Sequence, residues 1–201
     1  MSTISGAVTK DHRELETYYN EVVNHLDDHD HQQRYGNKFV WELARHSVAE
    51  ELVVYPALEK HLGAEGVEMA ESDRKEHHTV KELLKDFQQL KAPDARYVPQ
   101  LKQIWGPLSA HIKEEEGRDL PALEKRLAAY AGESESMAKS FGRTKWFVPT
   151  RSHPSAGEYP PFETVMGLLT APLDRLTDLF RKFPEDKSDA GQESSDKKST
   201  L

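Results

Sequence analysis

The sequence predicts an all-α protein: an antiparallel, up-down four-helix bundle, followed by an extended C-terminal arm and one further bent helix. Three observations predict it. Apolar residues recur at steps of three and four through four long stretches, the period of a helix with one buried face. Modest polar connections separate the stretches, which makes antiparallel neighbours the simplest packing. The chain also contains one helix-pair unit twice. His46/His111, Glu50/Glu115, Glu51/Glu116, Pro56/Pro121 and the Ala-Leu-Glu-Lys blocks starting at 57 and 122 all differ by 65 positions. The same offset pairs Asp11-His12 with Glu76-His77, and Phe39, Val40 and Leu43 with Ile104, Trp105 and Leu108.

The first helix is expected over residues 8–27, on a stripe of Val8, His12, Leu15, Tyr19, Val22 and Leu26, with Thr9 or Ser5 as its cap. Residues 27–36 are too polar for a core and read as a turn, inside which the next helix can begin. The second helix covers 37–62 and stops at Gly63; its stripe is Phe39, Leu43, His46, Glu50, Val53 and Ala57. Pro56 removes a backbone donor within it, so a kink is expected near Leu52. The third helix spans 72–91, with His77, Val80, Leu84 and Phe87 on one face, closed by Ala92-Pro93. The fourth spans 99–131, with Leu101, Ile104, Leu108, His111 and Glu115 inward, a matching kink at Pro121, and Gly132 at its end.

Beyond the bundle at 1–131, residues 133–145 are polar, and a proline-stiffened aromatic arm follows that is expected to lie against the bundle. Residues 162–183 are amphipathic, broken near Pro172, and expected to dock as a bent helix that closes the 132–183 appendage. Residues 184–201 have almost no apolar side chain and read as a disordered tail.

Composition limits the function classes. Charged residues make up 31% and the mean hydropathy is −0.77; no apolar run approaches the ~20 residues of a membrane span. A net charge of −8 with no basic stripe argues against a nucleic-acid partner. The N-terminus lacks the apolar core of a secretion signal, and there is no cysteine for a disulfide or thiolate site. These features fit a cytoplasmic protein.

The polar groups inside the apolar stripes carry the chemistry. A lone histidine on a helix face is ordinarily a core residue with one hydrogen-bond partner. Here His12, His46, Glu50, His77, His111 and Glu115 all fall on inward stripes. A His and a Glu four apart lie one turn from each other on the same face. Burying two uncompensated carboxylates costs several kcal/mol each, comparable with the stability of a whole domain. A pair of metal ions neutralises the carboxylates and uses the imidazoles; the rival is a metal-free His–Glu hydrogen-bond network. Six inward groups exceed the four ligands of one structural zinc. Carboxylates able to bridge two ions favour a di-iron or di-manganese centre.

The order lone His, His-x-x-x-Glu, lone His, His-x-x-x-Glu resembles the hemerythrin-like, or HHE cation-binding, family over residues 8–131. The resemblance implies two non-haem iron ions in a four-helix bundle, with manganese or zinc as alternatives. His12, His46, His77 and His111 would be terminal ligands, and Glu50 and Glu115 would bridge. Oxygen-carrying members have a further His four residues after the one on the third helix, where this chain has Lys81. Their fourth-helix carboxylate lies five residues past its His, whereas here Glu115 stands at four and Glu116 at five. With four histidines the site looks closer to the iron- and oxygen-responsive hemerythrin-like domain of a ubiquitin-ligase subunit. Fewer protein ligands leave open positions, which favour redox reaction with O2, peroxide or NO over clean reversible oxygen storage. The other reading is an iron-buffering or sensory module that acts on a protein partner through the arm. Glu16, one turn after His12, is either an additional ligand or a solvated surface carboxylate. Glu51 and Glu116, about 100° around their helices, are expected beside the site or at the surface. His78 points elsewhere, and His25, His29 and His31 are expected in solvent, with a weak adventitious site as the alternative.

Overall fold

The computed structural model describes residues 2–154, 170–172, 174–179 and 181–185, and among these there is no strand. Four antiparallel rods carry the fold. The first is α1 (Ile4–Asn24), whose Thr3 side chain accepts from the Gly6 N–H. The second is α2 (His29–Ala49), a π-helical turn (Glu50–Val54) and α3 (Tyr55–Leu62). The third is α4 (Ala64–Phe87). The fourth repeats the second: α5 (Tyr97–Glu114), a π-helical turn (Glu115–Asp119) and α6 (Leu120–Leu127).

Several boundaries differ from the sequence reading for local reasons. α1 starts four residues before Val8, because Thr3 rather than Ser5 or Thr9 caps it. Asp28 caps α2 by accepting from the His31 N–H, so this helix starts inside the polar stretch. α4 begins directly after Gly63, whose φ of 64° lets the chain reverse in a single residue.

At Pro56 and Pro121, where kinks are expected, the rods carry π-helical turns. Each proline follows the turn as the second residue of a new helical segment and has no N–H for its own i−4 carbonyl. The ladder slips by one, so that Tyr55 N–H reaches Glu50 O and Leu120 N–H reaches Glu115 O.

Residues 133–144, read from the sequence only as a polar start to the arm, form α7 (Glu133–Thr144). It buries Met137 and Phe141 and packs on α1. The Ser134 hydroxyl accepts from Ile4 N–H, tying α7 to the start of the bundle. Beyond it, Val148, Thr150 and Ser152 are buried, but Trp146 and Phe147 are 70% and 66% exposed, so those two aromatics do not anchor the arm. The expected bent helix at 162–183 and the tail at 184–201 fall largely outside the described residues; within them, 170–172 and 174–178 are helical.

The core is two apolar layers with a polar slab between them. One layer holds Leu15, Leu43, Val80, Leu84, Ile104 and Leu108. The other holds Val8, Ala49, Val54, Leu58, Leu120 and Phe141. On every rod the inward histidine separates the two layers. Burying a Leu or Phe contributes about 1.5–3 kcal/mol, and these layers offset the cost of the slab.

One close approach fixes how α2 meets α5. A Cβ at Gly36 would lie 1.8 Å from the Tyr97 hydroxyl oxygen, and the Tyr97 ring is held by Phe87 at a 4.7 Å centroid separation. Gly36→Ala gains about 1 kcal/mol of helix propensity but overpacks a site that cannot relax, at about 1–3 kcal/mol. A net loss of stability is expected in urea unfolding.

Candidate metal centre

All six predicted inward groups meet in the slab. His12 comes from the middle of α1, His46 from the last turn of α2, His77 from α4 and His111 from α5, each at most 2% exposed. Glu50 and Glu115 open the two π-helical turns and are fully buried. His46 Nε2 lies 3.1 Å from Glu50 Oε1, His77 Nε2 lies 3.3 Å from Glu50 Oε2, and His12 Nε2 lies 3.4 Å from Glu115 Oε2. His77 Nε2 and His111 Nε2 are 3.2 Å apart. Two triads have their ligand atoms within 4.8 Å of one another, His12/His46/Glu50 and Glu50/His77/His111, with Glu50 common to both.

The outer nitrogen of each imidazole faces a carboxylate. Nδ1 of His12 donates to Glu116 (2.8 Å), that of His77 to Glu51 (3.0 Å) and that of His111 to Glu76 (2.9 Å). His46 Nδ1 lies 3.4 Å from Asp11. A carboxylate only accepts, so it fixes the proton on Nδ1 and leaves the Nε2 lone pair aimed inward. The arrangement obeys the internal repeat: Glu51 and Glu116 serve the lone histidines, and Asp11 and Glu76, each just before a lone histidine, serve His46 and His111.

Glu51 is fully buried, and Glu116 also pairs with Arg13 at the rim. The sequence reading set both about 100° from the inward face, which holds for an α-helix; the wider π turn brings consecutive carboxylates to the site. Lys81, where oxygen carriers have a histidine, pairs with Glu51 and so steadies His77 from behind.

The inner atoms pass the test for a cation. His12 Nε2, His46 Nε2, both oxygens of Glu50 and both of Glu115 are buried with no hydrogen-bond partner. Six buried acceptors without a hydrogen-bond partner in one slab are what a bound positive charge would compensate. Nitrogen and carboxylate donors of this kind suit divalent or trivalent transition-metal ions.

The electrostatics agree. Burial, then the Glu115 charge, pushes the Glu50 carboxyl well above its ordinary range. Burial would raise Glu115 too, but the His12 imidazole 3.4 Å away, with those of His111 and His46, holds it down at about 2. Burial lowers His46, and lowers His77 to about 4. For His111, burial is overridden by the Glu76 hydrogen bond and the Glu115 and Asp73 charges, which push it up to about 9.

Glu16 is not at the site: its side chain is 45% exposed and pairs with Arg13. Two further groups were not singled out from sequence as site residues. The buried Tyr55 hydroxyl is 3.0 Å from His77 Nε2, and its counterpart in the repeat is Leu120. Asp73 is 1% exposed with Oδ2 unpartnered, and burial pushes it up to about 8; its counterpart is Val8. Both lie in the His77/His111 half, so the two halves are chemically unequal.

Because each Nδ1 partner orients a donor, Glu51→Gln and Glu116→Gln are expected to weaken metal affinity about 10–100-fold while the fold persists. Titration of the apoprotein against a competing chelator reads this directly.

Comparison with known proteins agrees with this geometry. Residues 3–123 match the model of the hemerythrin HHE cation-binding domain. An uncharacterized hemerythrin-like protein of Schizosaccharomyces pombe is 54% identical over 184 residues, covering 92% of this chain and 89% of the relative. No solved structure gives a significant match. With the family model matching residues 3–123 and the relative aligned over 92% of this sequence, the chain belongs to the hemerythrin HHE cation-binding family.

Proposed function

We propose that the chain holds two non-haem iron ions between His12, His46, His77 and His111, with Glu50 and Glu115 shared between the ions, and that the centre binds or reacts with O2, peroxide or NO. The observation that carries this reading is the set of four imidazoles, each backed by a carboxylate at Nδ1, whose Nε2 atoms surround orphaned carboxylate oxygens. Manganese and zinc suit the same donors, but a carboxylate-bridged pair favours a redox metal. When bound, such a pair supplies one-electron chemistry at coordination positions the protein leaves open.

The residues around the centre set its conditions. Leu43, Val80, Leu84 and Leu108 are buried on one side and keep bulk water from the slab. The Tyr55 hydroxyl supplies a donor beside His77. We read the protein as cytoplasmic; no helix among the described residues is long and apolar enough to cross a membrane.

One observation favours the second reading, a sensory or iron-buffering module that works through a protein partner. Lys145, just past α7, pairs with both Asp11 and Glu42, and Asp11 is the Nδ1 partner of His46. The segment after the bundle is thereby joined to the site by a chain of two contacts.

Peroxide and O2 consumption by the iron-loaded protein separates the readings. A rate well above that of equimolar free iron, lost in His46→Ala, is expected for a reactive centre. No excess rate despite full iron binding would overturn turnover and assign the site to sensing or buffering.

A further inference from the structure

We propose that Glu21, His25 and His31 form a second, solvent-accessible site for a single divalent transition-metal ion of the zinc class at the turn between α1 and α2. It is independent of the buried centre. Along α1 it lies ~14–20 Å from His12 at 1.5 Å per residue.

Each of the three residues offers one ligand atom, and these atoms all lie within 4.8 Å of one another. Glu21 and His25 are one turn apart at the end of α1, and His31 stands in the first turn of α2. One carboxylate oxygen, Glu21 Oε2, is 2.8 Å from His31 Nε2 and 3.4 Å from His25 Nδ1, which also donates to the Glu21 carbonyl at 2.8 Å, a bond that an ion at this nitrogen replaces. Metal–nitrogen bonds of about 2.0–2.1 Å in a tetrahedral site put ligand atoms about 3.3 Å apart, so only small side-chain rotations are needed. The remaining positions are open to water, since the three side chains are 33%, 46% and 26% exposed.

The backbone holds this triad in place before any ion arrives. Asp28 caps α2 through the His31 N–H and so fixes where that residue leaves the turn. The His31 ring is held between the His25 ring at 4.1 Å and the Tyr35 ring at 4.5 Å. Two imidazoles and one carboxylate are the donors zinc and copper(II) prefer, not a hard-cation oxygen cage. The internal repeat also separates this cluster from the family site. At the 65-residue offset the positions hold Asp86, Leu90 and Arg96, so the second hairpin has no counterpart. An ion here joins the ends of α1 and α2, the hairpin that presents His12 and His46.

Zinc is the probe. The full-length chain and His25→Ala/His31→Ala are equilibrated at micromolar free zinc, and bound metal is counted. One more zinc per chain is expected in the wild type than in the double variant, with Glu21→Gln weakening that increment at least tenfold. Backbone amide shifts on zinc addition should include residues 21–35 in the wild type and spare them in the double variant. Equal zinc content in the two proteins, or unchanged shifts at 21–35, would overturn the site whatever the buried centre binds. Far-ultraviolet circular dichroism of the variant checks that the fold is retained, as the exposure of these side chains leads one to expect.

Discussion

Glu50→Gln is expected to abolish metal-pair binding while making the metal-free protein more stable. Glu50 is the one side chain common to both ligand triads, so its loss breaks both halves of the site together. In the metal-free chain the same carboxyl is a burden: it is fully buried and both its oxygens lack hydrogen-bond partners. A buried carboxyl must either ionise in a poorly compensating site or hold a proton that solvent would take, and an amide of the same shape does neither. The sign has a pH signature. Burial and Glu115 raise the folded-state pKa of Glu50 above its unfolded value, so the folded chain keeps a proton that the unfolded chain releases. The wild type therefore loses stability as pH climbs above the ordinary glutamate range, and the amide variant does not incur this loss. Urea unfolding of the apoproteins at pH 5 and pH 7 should show the advantage of the variant widening at the higher pH. A variant that is less stable at both pH values would mean that Glu50 is compensated by the protein alone.

Iron loading is expected to raise the thermal midpoint of the wild type by about 10 °C. An ion that binds only the folded state at a thousand times its Kd contributes about 4.1 kcal/mol. For a chain of this size each kcal/mol moves the midpoint by about 2–4 °C. The gain comes from one place: the orphaned Nε2 and carboxylate atoms of the slab acquire the partner they lack. Chelation should reverse it, and His46→Ala should show little of it. Differential scanning calorimetry of loaded, chelated and variant protein checks all three arms.

The rods and the inward groups were legible because the 65-residue repeat checks each helical stripe against a second copy. Val8, His12 and Leu15 on one face predict the same face that Asp73, His77 and Val80 take in α4, apart from the Val8-to-Asp73 change that makes the halves unequal. What was not legible follows from assuming ideal helices. At Pro56 and Pro121 a disturbance of the helix is legible; that the backbone answers the missing donor with a π-helical turn is not. Glu51 and Glu116, expected beside the site or at the surface, both stand beside it, on Nδ1 of His77 and of His12. Glu16 fails for the complementary reason: it sits one regular turn from His12, yet Arg13 holds it at the surface. α7 carries only Met137 and Phe141 as large apolar groups four apart, too sparse a stripe to stand out before the α1 groove that receives it is known. Tyr55, which opens α3 just after the π turn with its hydroxyl 3.0 Å from His77 Nε2, lies on none of the stripes read from the sequence.

The central claim is that the polar slab is a site for two cations and not a self-satisfied network of hydrogen bonds. Metal analysis of the full-length chain reconstituted anaerobically with ferrous iron and freed of unbound ions tests it most directly. About two irons per chain are predicted for the wild type and for His78→Ala, whose side chain is exposed, and at most one for His46→Ala. An iron-free wild type, or iron content indifferent to His46, would contradict the account.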